Sequence, residues 1–496
     1  MTELAKRLSN LPSFGGIDAT TDNILIQAFE DHDAYKSIIS FEKTMITGRK
    51  GSGKSAVYRK LLSLANWNTF TLGFTFSDYP WDFHATQKQQ GVPREECYRE
   101  SWKYFIGLAI SKLLLENSGA RHHGNDSNFA YQDIEKFVTD SYGTTNPDLT
   151  KIFTPGTTIK LSGRLSLPGA SAKVEPIAIN HLPKFYSEVN RNIADCIIRS
   201  LSTEQHFYIC FDELDIGFDP NDTEYNSRLI GLIRAAKYYN DRFRQEELRA
   251  SVIILLRSDI WSMIRFEDKN KLTQSQVKEI TWGQDNGPHC LRELMERRFT
   301  ALLGDDTPIR WVDIFDEQRK MRGNQSKYAY ICDRGYLRPR DIIQFCNEVL
   351  EKFKDDNRSG RSFENKHVQN AEQDYSDYFL QELDDELHKH SEKYQHYFEP
   401  LKRLSKLTFS KEDFDTAWHE VRSLFCEPDN PTDALTALFE FSVVGYLTSG
   451  GHGGGGKYVW RYRDPRSKFN PDAKFFKVHL GLKNVFDLKL YQRKKK

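Results

Sequence analysis

The sequence predicts an α/β protein, a doubly wound parallel sheet followed by a helical lid and a C-terminal winged-helix-like domain. Three observations predict it. The run Gly48-Arg49-Lys50-Gly51-Ser52-Gly53-Lys54-Ser55 stands between a short strand pattern, Lys43–Thr47, and a helical pattern, Ala56–Leu62. The apolar run Phe207–Phe211 ends in Asp212-Glu213, and Ser251–Leu256 ends in Arg257-Ser258-Asp259. Unbroken apolar runs of this length are the pattern of strands buried on both faces, as in parallel sheets.

The elements follow in order. Residues 1–42 form an entry segment with a helix expected near Thr21–Glu30, capped by Thr20 or Thr21. Asn68–Phe76 alternates as a second strand and runs into the aromatic turn Ser77–Asp82, whose rings could cover an adenine but more simply fill a core. Residues 95–140 carry a helical apolar face through Trp102, Phe105, Ile106, Leu108, Ala109, Leu113 and Leu114, broken by a polar loop at Ser118–Asn128. Thr158–Leu167 alternates within a Gly/Pro/Ser-punctuated stretch, a hairpin pattern. A helix over Pro183–Ser202 precedes the acid-ending strand, and Val277–Trp282 is a last short strand. Pro339 opens a helix at its first turn, where its missing N–H costs nothing. The expected domains are 1–42; a core at 43–283 with an insertion at about 95–200; a lid at 284–360; and a linker with winged helix at 361–496.

Composition narrows the function classes. A chain of 496 residues is expected to hold two to four domains. Its 70 basic and 70 acidic residues balance, so overall charge names no partner. Seven scattered cysteines without a C-x-x-C pair argue against zinc and disulfides and for a reducing, cytoplasmic setting. Neither a signal core in Met1–Phe14 nor an apolar run of membrane-spanning length is present, so no membrane is expected. His122-His123 lacks accompanying carboxylates and is not expected to bind metal.

The first motif is G-x-x-x-x-G-K-[ST], the phosphate-binding P-loop, in its strand–loop–helix setting. Glycines let backbone N–H groups curl round a phosphate that side chains would block, and the following helix turns its positive end to the anion. ATP is expected on Gly48, Arg49, Lys50, Gly51, Ser52, Gly53, Lys54, Ser55 and Ala56. Lys54 would reach the β- and γ-phosphates and Ser55 would place its hydroxyl on Mg²⁺. Asp212 is assigned to the Mg²⁺ and Glu213 to polarising the attacking water. A hydrophobic strand ending in two acids also arises where Asp merely caps a helix; the intact loop favours the catalytic assignment.

With these residues in hand the chain resembles P-loop ATPases of the AAA+ or signal-transducing (STAND) kind, near the origin-recognition-like branch. The matching pieces are GRKGSGKSA, FYICFDELD, the strand ending LLRSD and the helix opening LRPRDI, over about residues 15–350. The wording is similar to bacterial ATPases of anti-phage defence regions. The resemblance implies an ATP hydrolase, slow or stimulus-dependent, acting as a switch that controls a partner or effector protein or a homo-oligomer. It implies Arg257 or Ser258 at sensor one, Arg340 or else Arg338 at sensor two, and Arg297 or Arg298 as a finger reaching a neighbouring subunit.

The C-terminal part reads as an acidic helix at 370–389, helices near 391–406, 411–423 and 432–441, and strands at Val443–Leu447 and Lys457–Arg463 flanking the glycine loop Gly450–Gly456. Three helices and a hairpin are the plan of a winged helix. The basic excess after Gly445, interleaved with Tyr458, Trp460 and Tyr462, suits non-specific nucleic-acid contact. The expected recognition helix, Thr432–Phe441, has no Lys or Arg, which argues against major-groove reading and leaves a protein-docking role equally open. The alternative to a switch is therefore an origin-recognition-like nucleic-acid-binding module that keeps ATP as a structural ligand.

Overall fold

The computed structural model describes residues 3–75, 94–153, 158–166, 176–178, 186–219, 222–284, 289–304, 307–356, 361–388, 394–424, 430–448 and 456–489. The aromatic turn Ser77–Asp82, most of the glycine loop and the basic end of the tail lie outside them. The chain forms two compact units. Asp31–Arg49 with Lys54–Ile280 make a sheet unit; Met1–Glu30, Lys50–Gly53 and Thr281–Lys496 make a helical unit.

In the sheet unit, β1 (Met45–Gly48) and β2 (Thr69–Thr75) flank the loop and its helix, Lys54–Leu62. A small antiparallel pair, β3 (Thr158–Lys160) and β4 (Pro176–Ala178), sits in the insertion. Then come β5 (His206–Asp212), β6 (Ala250–Arg257) and β7 (Val277–Glu279). The main sheet is parallel throughout, in the order β2-β5-β6-β1-β7. Every residue of β1 and β6 is buried, which explains why these strands read as unbroken apolar runs. Register sets the site: Gly48 lies opposite Arg257, Phe211 opposite Ile254 and Thr75 opposite Asp212. The carboxyl ends thus share one edge, and the connections leaving the neighbouring strands β1 and β6 run in opposite directions across the sheet, towards β2 and β7, which is where ligands of such sheets bind.

Between β2 and β5 stand the helices Arg94–Glu116, Asn125–Tyr142 and Tyr186–Ser200. Trp102, fully buried, meets Phe105 and Phe211 edge-on at 5.6 Å and donates its indole N–H to the Arg228 carbonyl at 3.1 Å. Its neighbour Thr223–Gln245 is a 23-residue helix that the motif-led reading of the sequence passed over. The helix expected at Thr21–Glu30 does not form, and only turns occur there. Thr20 is spent on a local turn with Asp18, and Asp22 pairs with Arg298. Helices form instead at Glu3–Asn10 and Asp33–Ile39.

The helical unit packs Leu291–Leu303, Pro339–Asp355 and Glu372–Leu387 round a second apolar core, where Trp311 stacks on Phe315 at 4.0 Å. Its end runs helix Tyr394–Leu404, β8 (Thr408–Ser410), helices Lys411–Val421 and Pro431–Glu440, β9 (Val444–Thr448), β10 (Lys457–Val459) and β11 (Phe475–Val478). These strands form one antiparallel sheet in the order β10-β9-β11-β8. β8 and β11, three and four residues long, carried too little periodicity to be read. The strand expected through Arg463 stops at Val459, because the N–H groups of Arg463 and Asp464 turn back to the Trp460 carbonyl.

One close approach gives a test. A Cβ on Gly231 would lie 2.7 Å from Tyr98 Cβ and 2.9 Å from its carbonyl carbon, between the helices Arg94–Glu116 and Thr223–Gln245. Alanine gains about 1 kcal/mol of helix propensity, but overpacking against backbone costs about 1–3 kcal/mol. Gly231→Ala is expected to lower the urea midpoint; an unchanged or raised midpoint would mean that the helices separate freely.

Candidate phosphate-binding site

The loop between β1 and its helix needs its glycines. Gly51 has φ +75° and Gly53 φ +101°, a region that side chains disfavour. Lys54 folds back so that Nζ donates to the carbonyls of Gly48 and Arg49, both at 3.0 Å. Its ammonium is desolvated although the residue keeps some exposed surface, and burial lowers its pKa to about 8 against the pull of Asp212, Asp215 and Asp259. Ser55 donates its hydroxyl to Asp212, so the two expected Mg²⁺ residues meet. Asp212 is 4 % exposed; burial raises its pKa, opposed by the Ser55 hydroxyl and the Glu213 N–H. Glu213 is exposed and holds φ +53°, unusual for a residue with a side chain. Arg257 is 4 % exposed and forks between Asp259, at 3.1 and 2.6 Å, and Asp215, at 3.1 Å.

Within the helical unit the crown of the loop, Lys50–Gly53, is held by long-range contacts. Arg338 donates to the Lys50 carbonyl at 3.0 Å while pairing with Asp341 at 2.9 Å and Glu386 at 2.6 Å. Trp282 donates its indole N–H to the Ser52 carbonyl at 2.8 Å. The stem of Arg340 passes so close to Gly51 that a Cβ there would meet it at 3.1 Å. Arg340 donates to Glu382 at 2.9 Å and to the Ile17 carbonyl at 3.1 Å, and Lys50 pairs with Asp385 at 2.8 Å. Arg338 is therefore a buried structural residue, and Arg340 is the more exposed of the two.

The residues fit a bound nucleotide with Mg²⁺. The Ser52 side-chain oxygen is buried with no hydrogen-bond partner, inside a loop built to turn N–H groups inward. Among the described residues, no group of three or more His, Cys, Asp or Glu could hold a metal alone. A hydroxyl and a carboxylate completed by phosphate oxygens and water are what Mg²⁺ takes in such sites. Asp215, Asp259, Trp282, Glu382, Asp385 and Glu386 carried no assigned role. Asp215 and Asp259 end the motifs FYICFDELD and LLRSD and Trp282 ends a strand pattern, whereas the three acids of Glu372–Leu387 give no local signal.

Other expected roles divide. Arg298 lies buried, its guanidinium 5 % exposed, paired with Asp22 and donating to the Phe14 carbonyl at 2.9 Å, which disfavours it as a finger. Arg297 is half exposed and pairs with Glu30. Trp460 and Tyr462 are each 9 % exposed and are not open stacking platforms. Arg461 pairs with Glu440 at 3.2 Å and Arg463 with Asp333 at 2.9 Å. Among the described residues no helix is long and apolar enough to cross a membrane.

Residues 289–384 match the family described as the FunZ-associated C-terminal helical domain. Comparison with curated proteins finds no match. Among solved structures the chain is similar to Cdc6p from Pyrobaculum aerophilum, at 8 % identity over 91 % of this chain and 90 % of that one, with a TM-score of 0.31. That score is too low to bear on function.

Lys54 sets a pH dependence. Its ammonium is charged below about pH 8 and neutral above, and a bound phosphate raises that pKa. ATP affinity should therefore be flat below pH 8 and fall by up to about tenfold per unit above it, with one proton taken up on binding. Calorimetry in two buffers of different ionisation enthalpy checks this; constant affinity from pH 7 to 9.5 would contradict it.

Proposed function

We propose that this chain is an ATP-binding and ATP-hydrolysing switch of the AAA+ or STAND kind that controls a partner protein or its own assembly. The observation that carries the reading is the Ser55–Asp212 hydrogen bond at the foot of a glycine loop that also holds Lys54. The sheet order supports it: β6 stands between the P-loop strand and the strand bearing Asp212, so three strand ends face one site. Lys54 would leave the two carbonyls for the β- and γ-phosphates. Ser55 and Asp212 would hold Mg²⁺, whose charge offsets that of the phosphates. Glu213, exposed beside Asp212, would orient the attacking water.

Arg340 is the proposed sensor-two residue, engaged by Glu382 until phosphate competes for it. Arg297 is the remaining finger candidate. A bacterial anti-phage setting, a cytoplasmic location and a homo-oligomer are proposed on the resemblance of the motifs. Buried Trp460 and Tyr462 and a cation-free helix Pro431–Glu440 weigh against the nucleic-acid-binding alternative.

The test is ATP hydrolysis by the purified protein, with and without single- and double-stranded DNA, beside two variants. Glu213→Gln should retain ATP and lose turnover by about 10²-fold or more; Lys54→Ala should lose ATP binding. ATP bound without turnover in the unmodified protein would favour a structural ligand, and stimulation by DNA would restore the nucleic-acid reading. Glu382→Gln, which releases Arg340 and relieves Lys50, should tighten ATP roughly three- to tenfold, the range of a modest coupling energy; weaker binding in that variant would count against competition for Arg340. Specific activity should rise with protein concentration if Arg297 acts in trans, and stay flat if it does not.

A further inference from the structure

We propose that Asp215 is a positioning residue: through its ion pair with Arg257 it fixes the turn that presents Glu213. The inference rests on the reading of Glu213 as the water-orienting carboxylate.

Arg257 closes β6 directly opposite Gly48, the first residue of the phosphate loop. A guanidinium 4 % exposed must have its charge answered nearby, and three of its nitrogens donate to carboxylates. The two partners differ in kind. Asp259 is two residues away and opens the helix Ser258–Met263, so that pair is local. Asp215 is 42 residues away, and its pair joins the end of β6 to the turn that leaves β5.

That turn needs holding. Glu213 sits at φ +53°, a conformation that L side chains disfavour and that the surroundings must impose. The chain then bends twice, the Ile216 N–H donating to the Glu213 carbonyl at 3.3 Å and the Phe218 N–H to the Asp215 carbonyl at 3.2 Å. Two long-range ties pin the turn. The Tyr225 hydroxyl donates to the Leu214 carbonyl, and Asp215 receives Arg257. Between them they fix the residues that follow Glu213 and leave its carboxylate exposed. An arginine engaged this way at the strand end acts on catalysis through Asp215, rather than by touching phosphate.

The test compares the full chain with Asp215→Asn, Arg257→Lys, Arg257→Met and the double variant Asp215→Asn/Arg257→Met. Three quantities are read: ATP and ADP affinity by calorimetry, single-turnover hydrolysis, and amide hydrogen exchange of a peptide spanning residues 213–218. Asp215→Asn is expected to slow hydrolysis about ten- to a hundredfold, the cost of a small misplacement of a reacting group. ATP affinity should stay within about threefold, and exchange of the turn should quicken by about tenfold or more, as expected of a released local structure. Arg257→Lys should lose less than Arg257→Met, and the double variant should be no worse than the more impaired single one, because each single variant already breaks the Asp215–Arg257 pair.

The proposal is overturned if Arg257→Lys weakens ATP more than tenfold while sparing ADP, and Asp215→Asn leaves hydrolysis and exchange unchanged; Arg257 would then be a phosphate ligand. If the unmodified protein binds ATP without turnover, the hydrolytic reading fails separately. Exchange of the turn then decides alone: quickened exchange in Asp215→Asn supports the positioning role and unchanged exchange rejects it.

Discussion

The parallel register of β1, β5 and β6 is the constraint on which the site depends. A slip of one residue in any strand would invert its side chains between the two faces. With Gly48 level with Arg257, and Phe211 level with Ile254, three strand ends deliver a glycine loop, an acid pair and an arginine to one edge. Close packing on both faces of β1 and β6 leaves little room for a shifted pairing. The chemistry at the edge is thus a consequence of packing in the middle.

The charges at that edge are all expensive to bury and all answered. Lys54 has two carbonyls and the field of three acids; Asp212 has the Ser55 hydroxyl and a backbone N–H; Arg257 has two carboxylates. The Ser52 hydroxyl, buried in the loop, has no hydrogen-bond partner. A site in which the protein's own groups are paired while the loop retains an unused donor is prepared for an anion, because binding replaces contacts already made. In the helical unit the crown of the same loop is held through Arg338, Arg340 and Lys50 by carboxylates of Glu372–Leu387. That helix leads toward the winged-helix end of the chain.

Legibility followed range. The P-loop, β5 and β6 were readable because the signal is local: eight residues in one case, an apolar run of five or six ending in charge in the others. The helix Pro339–Asp355 was readable from a proline at its first turn. The helix Thr223–Gln245, 23 residues long, shares no residue with the motifs and so gives no motif signal. The expected helix at Thr21–Glu30 failed because its acid and hydroxyl groups are committed elsewhere, Asp22 to Arg298 across 276 positions. Trp460 and Tyr462, interleaved with basic residues, looked like a stacking surface. Their burial in the second core could not be read from spacing.

By itself the sequence determined the class of sheet, the loop and the identities of Lys54, Ser55, Asp212 and Glu213 as candidates, because each depends on residues adjacent in the chain. Only the tertiary structure decided which charges face which. It gave Arg257 to Asp215 and Asp259, Arg340 to Glu382, Arg338 to Glu386 and Asp341, and Arg298 to Asp22. A buried cation must find a nearby counter-charge. Where that partner lies tens to hundreds of residues distant, folding alone brings it within reach.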